Sequence, residues 1–524
     1  MDKIFLEAYY KMIQKRILLT STIYFGLFLI LSLFISSCHT VVPLSTNLDE
    51  SEIKKETQGS SLSSPKRETT LTILYTNDEH GWIEGEDAGQ GAAELDNIWQ
   101  DYYKHSDEIL ILSGGDNWTG PAISTWFKGE GTIQVMNEMG YSASAVGNHE
   151  FDFGVDIFKE RALQANFPYL AANIRYKKDG SFPLDIGIKP YSILELGDLH
   201  IGLVGLGNAD TPSVTNPKNV RDFEFLDYSE VLREIVPLVW EEGADLIFVP
   251  SHLCTWELIP LARDVADLGI TLFGGGHCHE ELAEIINGSI ILSGGSYFKS
   301  FAFVELRIDL DDYSVNVIDT GVVENSGGSP SPEVAEIISE WKAKTDAELD
   351  ITVGYLSEEI PKRSAVMEAL ITESWLQAYP ANFALTNWGG MRDKLPAGEI
   401  KISDIISVMP FENVLVEVEL TGEQLLKILA FGAEIPPVGG LHIDGGKWII
   451  NKTGDLIDPI ASYSLITTDF LYAGGDDYTM LAEYDPVPYD TSISWREPVV
   501  DWIKNQNSSS QNPLDTIIEQ TLMR

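Results

Sequence analysis

From Leu71 onward the chain alternates short apolar runs with polar breaks. Six runs end in Gly, Asp, Asn or His: 71–80 (LTILYTNDEH), 108–116 (EILILSGGD), 141–150 (YSASAVGNHE), 199–210 (LHIGLVGLGNAD), 246–252 (LIFVPSH) and 270–279 (ITLFGGGHCH). Runs this short and this uniformly apolar read as strands covered on both faces. Stretches with helical character, such as 222–242 and 256–268, lie between them. The alternation predicts an α/β core with buried strands. In such sheets the residues after each strand gather at the carboxyl edge, where ligands bind. Segments 283–294 and 301–319 read as shorter, antiparallel strands that close this first domain.

Residues 325–332 (NSGGSPSP) form a breaker cluster. A helix over 333–349 follows, and a second, smaller α/β domain begins near Ile351. It should contain a helix over 366–379 and strands over 383–387, 414–420 and 463–468. Thr421 with Gln424 three residues later is a capping-box arrangement and predicts another helix start. Residues 505–513 are polar and read as a frayed stretch. The expected organisation is 1–37 leader, 38–69 flexible tether, 70–324 first domain, 325–350 linker helix and 351–524 second domain.

The leader is an export signal. Lys15 and Arg16 precede an uncharged apolar run from Ile17 to Phe34, and Ile35-Ser36-Ser37-Cys38 ends it. A run of that length could also span a bilayer uncleaved. The ending resembles the lipobox of bacterial lipoproteins, which implies lipidation of Cys38 and a membrane anchor. Residues 39–69 are rich in Ser, Lys, Glu and Thr without apolar periodicity, as a tether requires. Of the three cysteines, Cys254 and Cys278 then remain as a pair, either disulfide-bonded or separately buried.

Charge narrows the function. With 35 Lys+Arg against 80 Asp+Glu the formal net charge is −45, a field that repels a polyanion and excludes polymeric nucleic acid as an unassisted partner. A small anion remains acceptable if cations concentrate at its site. The runs supply the means, because their ends are metal ligands: Asp78 and His80, Asp116, Asn148, His252, then His277 and His279. If 78 and 80 continue a strand, their side chains share one face and can reach one metal. One such terminus is weak; five of the six, with glycines giving clearance, are not explained by folding.

The series D-x-H, GGD, GNHE, H, GHxH resembles the calcineurin-like metallophosphoesterases. GNHEFDFG (147–154) and the later domain resemble the bacterial 5′-nucleotidases, including the periplasmic nucleotidase/UDP-sugar hydrolase type, over about 71–477. The resemblance implies a four-layer α/β sandwich followed by a substrate-binding α/β domain. It implies two divalent cations (Mn, Zn, Co or similar): one on Asp78, His80 and His279, one on Asn148, His252 and His277, with Asp116 bridging. Position 279 is glutamine in some members and histidine here. His149 and Asp152 would be the catalytic dyad, the imidazole serving the leaving oxygen and the carboxylate orienting it. Asp152 could instead serve as an N-terminal helix carboxylate.

In the second domain Asn387 and Arg392 lie in a loop (NWGGMR) that resembles the family's phosphate clamp. Phe411 and Asn413, with Phe470 and Asp476, match its nucleoside pocket, in which two rings sandwich the base. Lys362 and Arg363 lie near where members place further phosphate-binding arginines. The reading is a 5′-nucleotidase. Same-fold hydrolases of 2′,3′-cyclic nucleotides, UDP-sugars or a thiosulfonate, and a non-catalytic surface binding protein, are the alternatives. Placing metals and clamp on different domains leads us to expect interdomain rotation during catalysis.

Overall fold

The structure is a computed structural model that describes residues 67–523; the leader, Cys38 and most of the tether lie outside the described residues. In the first domain the strands are β1 (Glu68–Thr76), β2 (Glu108–Ser113), β3 (Ala143–Ala145), β4 (Tyr169–Leu170), β5 (Ile188–Lys189), β6 (Tyr191–Leu196), β7 (Leu199–Val204), β8 (Leu246–Pro250), β9 (Leu272–Gly274), β10 (Glu281–Ile286), β11 (Ser289–Gly294), β12 (Ser300–Asp309) and β13 (Val315–Glu324). They form a seven-stranded sheet, β13-β12-β1-β2-β3-β4-β5, and a six-stranded one, β10-β11-β9-β8-β7-β6. The inner faces pack on each other through Leu71, Ile73, Leu110, Leu203, Phe248 and Leu272. Helices α1 (Ala92–Tyr102), α2 (Glu130–Glu138) and α3 (Val155–Gln164) cover the first sheet. Helices α4 (Tyr228–Glu241) and α5 (Thr255–Asp264) cover the second through Val231, Ile235 and Leu258. The order helix, sheet, sheet, helix is the expected four-layer sandwich.

Three boundaries differ from expectation. β1 starts at Glu68, opposite Asp309 of β12, so the last residues of the expected tether are already in the sheet. Segment 283–294 belongs to a hairpin, β10 and β11 turning at Asn287-Gly288, both with positive φ. This Asn-Gly pair is the usual signal for a two-residue hairpin turn. Segment 301–319 is likewise split between β12 and β13, which turn at 310–314.

Helix α6 (Pro332–Leu349) is packed rather than free-standing: Val334 and Trp341 join the core under α2, and Trp341 Nε1 donates to Gln134 at 2.9 Å. Beyond it lies a five-stranded mixed sheet whose central strands are Phe383–Leu385, Ser462–Thr468 and Val414–Thr421. The expected capping box forms: Thr421 Oγ1 accepts from Gln424 N at 3.3 Å, and Gln424 Oε1 accepts from Thr421 N at 2.8 Å. Of the 505–513 stretch, Asn505 and Gln506 end the helix Glu497–Gln506, and the rest is a turn closed by mutual backbone bonds of Ser509 and Asn512. It leads into a docked helix, Leu514–Thr521, that buries Leu514 and Ile518. Among the described residues no helix is long and apolar enough to cross a membrane.

Candidate functional site

The ligand candidates sit on loops beyond the strands, not on strand ends. Asp78 (φ 52°), His80 (46°), Asp116 (59°), His277 (69°) and His279 (56°) all have left-handed backbone. The shared-face argument for Asp78 and His80 therefore gives way to a turn that delivers both from successive left-handed positions. Such conformations disfavour residues with a Cβ and persist where the surroundings over-determine them. Here the loop after β1 is laced to the loop after β2: Asp78 N donates to Gly115 O (2.9 Å), His80 N to Asp116 O (2.9 Å) and Gly81 N to Asn117 O (2.8 Å). Gly147 allows the third loop to close in, since a Cβ there would lie 2.1 Å from Asp116 Oδ1.

Two buried glutamates inside the quoted motifs, Glu79 and Glu150, hold this nest and were not anticipated. Glu150 accepts backbone N–H groups from Asp116 (2.9 Å), Asn117 (2.8 Å) and Gly147 (2.6 Å). Glu79 accepts from Thr76 (2.5 Å), Ser113 (3.0 Å) and Asn117 (2.9 Å). The signal available in the sequence was an acidic residue placed inside a Gly-rich loop between apolar runs, a charge that needs partners if buried.

The donor atoms converge. Asp78, His80 and His279 form one set and Asp116, His252 and His277 another, with ligand atoms within 4.8 Å of each other in each set. Asp116 lies between them, Oδ2 being 2.9 Å from His252 Nε2 and 3.9 Å from His80 Nε2. Nδ1 of His252 faces the Gly114 carbonyl at 2.8 Å and Nδ1 of His80 faces that of Thr119 at 3.2 Å. A ring nitrogen facing a carbonyl carries the proton, so Nε2 keeps its lone pair for a metal. Asn148 Nδ2 donates to Val214 O at 3.5 Å, which turns its Oδ1 inward. Asp78 Oδ1, Asn148 Oδ1 and His252 Nε2 are buried without a hydrogen-bond partner. Buried orphan acceptors facing one another are what a missing cation leaves behind, and the N/O donor set fits divalent ions.

Without a cation the electrostatics differ from ring to ring. Burial would lower His252, but the Asp116 carboxylate outweighs that and raises it to about 10, so a proton must leave this ring when it ligates. Burial, with Asp116 nearby, pushes the Asp78 carboxyl up to about 7 against the favourable pull of His252. Burial lowers His277 to about 4 and His279 to about 3, so both imidazoles are neutral and able to ligate. His149 is different. Burial would lower it, but the carboxylates of Asp152 and Asp116 outweigh that and raise it.

His149 opens a 3-10 turn, His149–Phe151, three residues before α3 begins. Its Nδ1 lies 2.6 Å from Asp152 Oδ2, and Asp152 Oδ1 accepts from Thr215 Oγ1 at 2.9 Å. Both carboxylate oxygens thus serve side chains, which sets the helix-terminus reading of Asp152 aside. Thr215 and Asn216 come from 211–220, a segment without apolar periodicity that only the fold brings over the cleft.

The second domain closes a cleft of about 250 Å³ lined by residues of both domains, including Asn387, Arg392, Phe411, Asn413, Phe470 and Asp476. Arg392 lies 3.4 Å from His80 Nε2 and has no carboxylate within ion-pair distance among the described residues. Phe411 stacks on His149, with centroids 5.8 Å apart at 24°. Asn387 Nδ2 donates to Asp476 Oδ2 at 2.7 Å while Asn387 Oδ1 is buried without a partner. The Asn387–Arg392 loop and the candidate metal loops therefore already meet in this arrangement. Lys362 is partly desolvated near Arg392, whereas Arg363 pairs with Glu434 at 3.3 Å, away from the cleft lining.

Sandwich, ligand nest and two-domain cleft together define a metallophosphoesterase with an attached substrate domain. Residues 350–483 match the model of the 5′-nucleotidase C-terminal domain. The chain is 26% identical over 480 residues to Protein UshA of Escherichia coli, covering 78% of this chain and 86% of that protein. It is 26% identical over 513 residues to a 5′-nucleotidase of Vibrio cholerae, covering 85% and 91%. A 5′-nucleotidase precursor from Thermus thermophilus has the same fold, with TM-score 0.72, 22% identity and coverage of 84% and 97%. Over most of its length the chain is similar to bacterial 5′-nucleotidases in sequence and in fold.

Proposed function

We propose that the chain hydrolyses nucleotide phosphate esters to nucleoside and phosphate, using two divalent cations held in the nest between the sandwich loops. The observation that carries this reading is the convergence of orphaned acceptors on Asp116 directly opposite the unpaired guanidinium of Arg392. Asp78, His80 and His279 would hold one cation and Asn148, His252 and His277 the other, with Asp116 shared. Bound there, the ions supply Lewis-acid charge to the phosphoryl group and to the attacking water. Arg392 binds phosphate oxygens in a bidentate fork. His149 holds the proton that the leaving oxygen takes, and Asp152, steadied by Thr215, keeps the ring oriented and stabilises its cationic form. Phe411 and Phe470 offer faces for the base, and Asn413, Asn387 and Asp476 offer polar edges.

The test is phosphate release by the chain from residue 39 onward. AMP, UMP, 2′,3′-cyclic AMP and UDP-glucose would be assayed with Mn²⁺, Zn²⁺ or EDTA. Hydrolysis that requires metal and favours a 5′-monophosphate supports the reading; no turnover of any substrate with any metal returns the chain to a binding role.

The leader supports export and anchoring through lipid on Cys38. Cys38→Ala should move the protein from the membrane fraction to the soluble envelope fraction, and an unchanged distribution would leave the lipid assignment without support.

A further inference from the structure

Cys254 and Cys278 form a disulfide whose two ends lie inside the ligand loops. Cys254 follows His252 by two residues, and Cys278 stands between His277 and His279. The two ends are anchored differently. Cys254 is buried at the first turn of α5, where its carbonyl accepts from Leu258 N at 3.0 Å and its N–H donates to Glu257 Oε2 at 3.3 Å. Cys278 is exposed on a loop of consecutive glycines and histidines.

The imidazoles differ in the same way. His80 and His252 are braced through Nδ1 by backbone carbonyls. Among the described residues the rings of His277 and His279 have no such carbonyl partner. His279 has ring contacts with His80 and Tyr297 at 5.3 and 5.2 Å, and its Nε2 lies 3.6 Å from Asp78 Oδ1. His277 has one with His252 at 5.1 Å. Gly275 N–H to Leu292 O and Gly276 N–H to Leu253 O (both 2.8 Å) tie the loop before the histidines. Glu280 ties it after them, accepting from Thr255 N at 2.7 Å and Ser293 Oγ at 2.6 Å. Between these ties the disulfide is the bond that holds the backbone at Cys278.

We propose that the Cys254–Cys278 disulfide is the positioning element for His277 and His279, doing for them what carbonyl partners do for His80 and His252, and so sets the chain's affinity for its cations. The proposal rests on the dinuclear-metal reading above. Loss of the partners that orient metal ligands weakens affinity roughly 10- to 100-fold. The disulfide should have an effect of that size on metal binding, separate from its restraint of the unfolded chain. An enzyme so built loads metal well only where the bond persists, an oxidising compartment.

The experiment is calorimetric titration of the metal-free chain with Mn²⁺, comparing wild type with Cys254→Ala/Cys278→Ala. The expected result is a Kd raised roughly 10- to 100-fold, with turnover restored at saturating Mn²⁺. A Kd within about twofold of wild type overturns the proposal and leaves the bond as a plain stabiliser. Should the double variant not fold, the folded wild type is treated with tris(2-carboxyethyl)phosphine. The phosphine attacks the exposed Cys278 sulfur and the S–S bond breaks. Water then supplies oxygen to the phosphine oxide and protons to the two thiols. Release of Mn²⁺, read by its solution EPR signal, supports the proposal; full retention overturns it. Wild type that binds no Mn²⁺ at all is a different failure, one that removes the metal reading itself.

Discussion

The two walls of the cleft are built differently. On the sandwich side Asp78, His80, Asp116, Asn148 and His252 are at most 2% exposed, and buried glutamates and neighbouring loops hold their backbone. On the other side Asn387, Arg392, Phe411 and Asp476 are half-buried, and Arg392 has no carboxylate partner among the described residues. One wall is finished before substrate arrives; the other leaves its polar groups for the substrate to satisfy. On the proposed function, the contrast is that between groups that must be preorganised to stabilise a transition state and groups that select what is bound.

Substitutions can break that contrast. The largest effect is expected at His149→Ala, which should lower kcat by about 10²- to 10⁴-fold with Mn²⁺ affinity close to wild type; steady-state kinetics beside metal titration would show it. A comparable effect on KM alone would place His149 with the selecting wall.

Glu150→Ala should act on the fold. It orphans three buried N–H groups, each worth about 1–3 kcal/mol, so denaturant unfolding of the metal-free chain should show a loss of at least about 2 kcal/mol. A neutral result would mean that the nest is not held from beneath.

How much of this was legible beforehand divides along the same line. The candidate ligands and the His149–Asp152 pair stand out because few pressures other than metal chemistry place Asp, Asn and His after five of six apolar runs. Their geometry did not, because left-handed backbone at Asp78 or His277 leaves no mark in residue type when the residue is not Gly or Asn. Glu79 and Glu150 stood inside the motifs but passed as filler, since burial of a charge is decided by loops distant in sequence. Thr215 was out of reach, as only the fold brings it to Asp152. The β10–β11 hairpin was legible in Asn287-Gly288 and was read through as one strand.

Smaller effects test the selecting wall. Arg392→Ala removes charge-assisted bonds worth about 1.5–3 kcal/mol, and KM for a monophosphate should rise roughly 10- to 150-fold. Thr215→Val removes one neutral hydrogen bond of about 1 kcal/mol, so kcat should fall no more than about fivefold with KM unchanged. A kcat loss for Thr215→Val as large as that for His149→Ala would make orientation of Asp152 the dominant factor.

The left-handed backbone of Asp78, His80, Asp116, His277 and His279 has a consequence for the molecule's thermal behaviour. These conformations hold the Asp78 and Asp116 carboxylates close together, where each repels the other's charge until a cation neutralises them. A ligand bound only by the folded form adds stability as the logarithm of its free concentration over Kd. The melting temperature of this chain should therefore track the manganese or zinc content of its surroundings, making its lifetime a readout of metal supply.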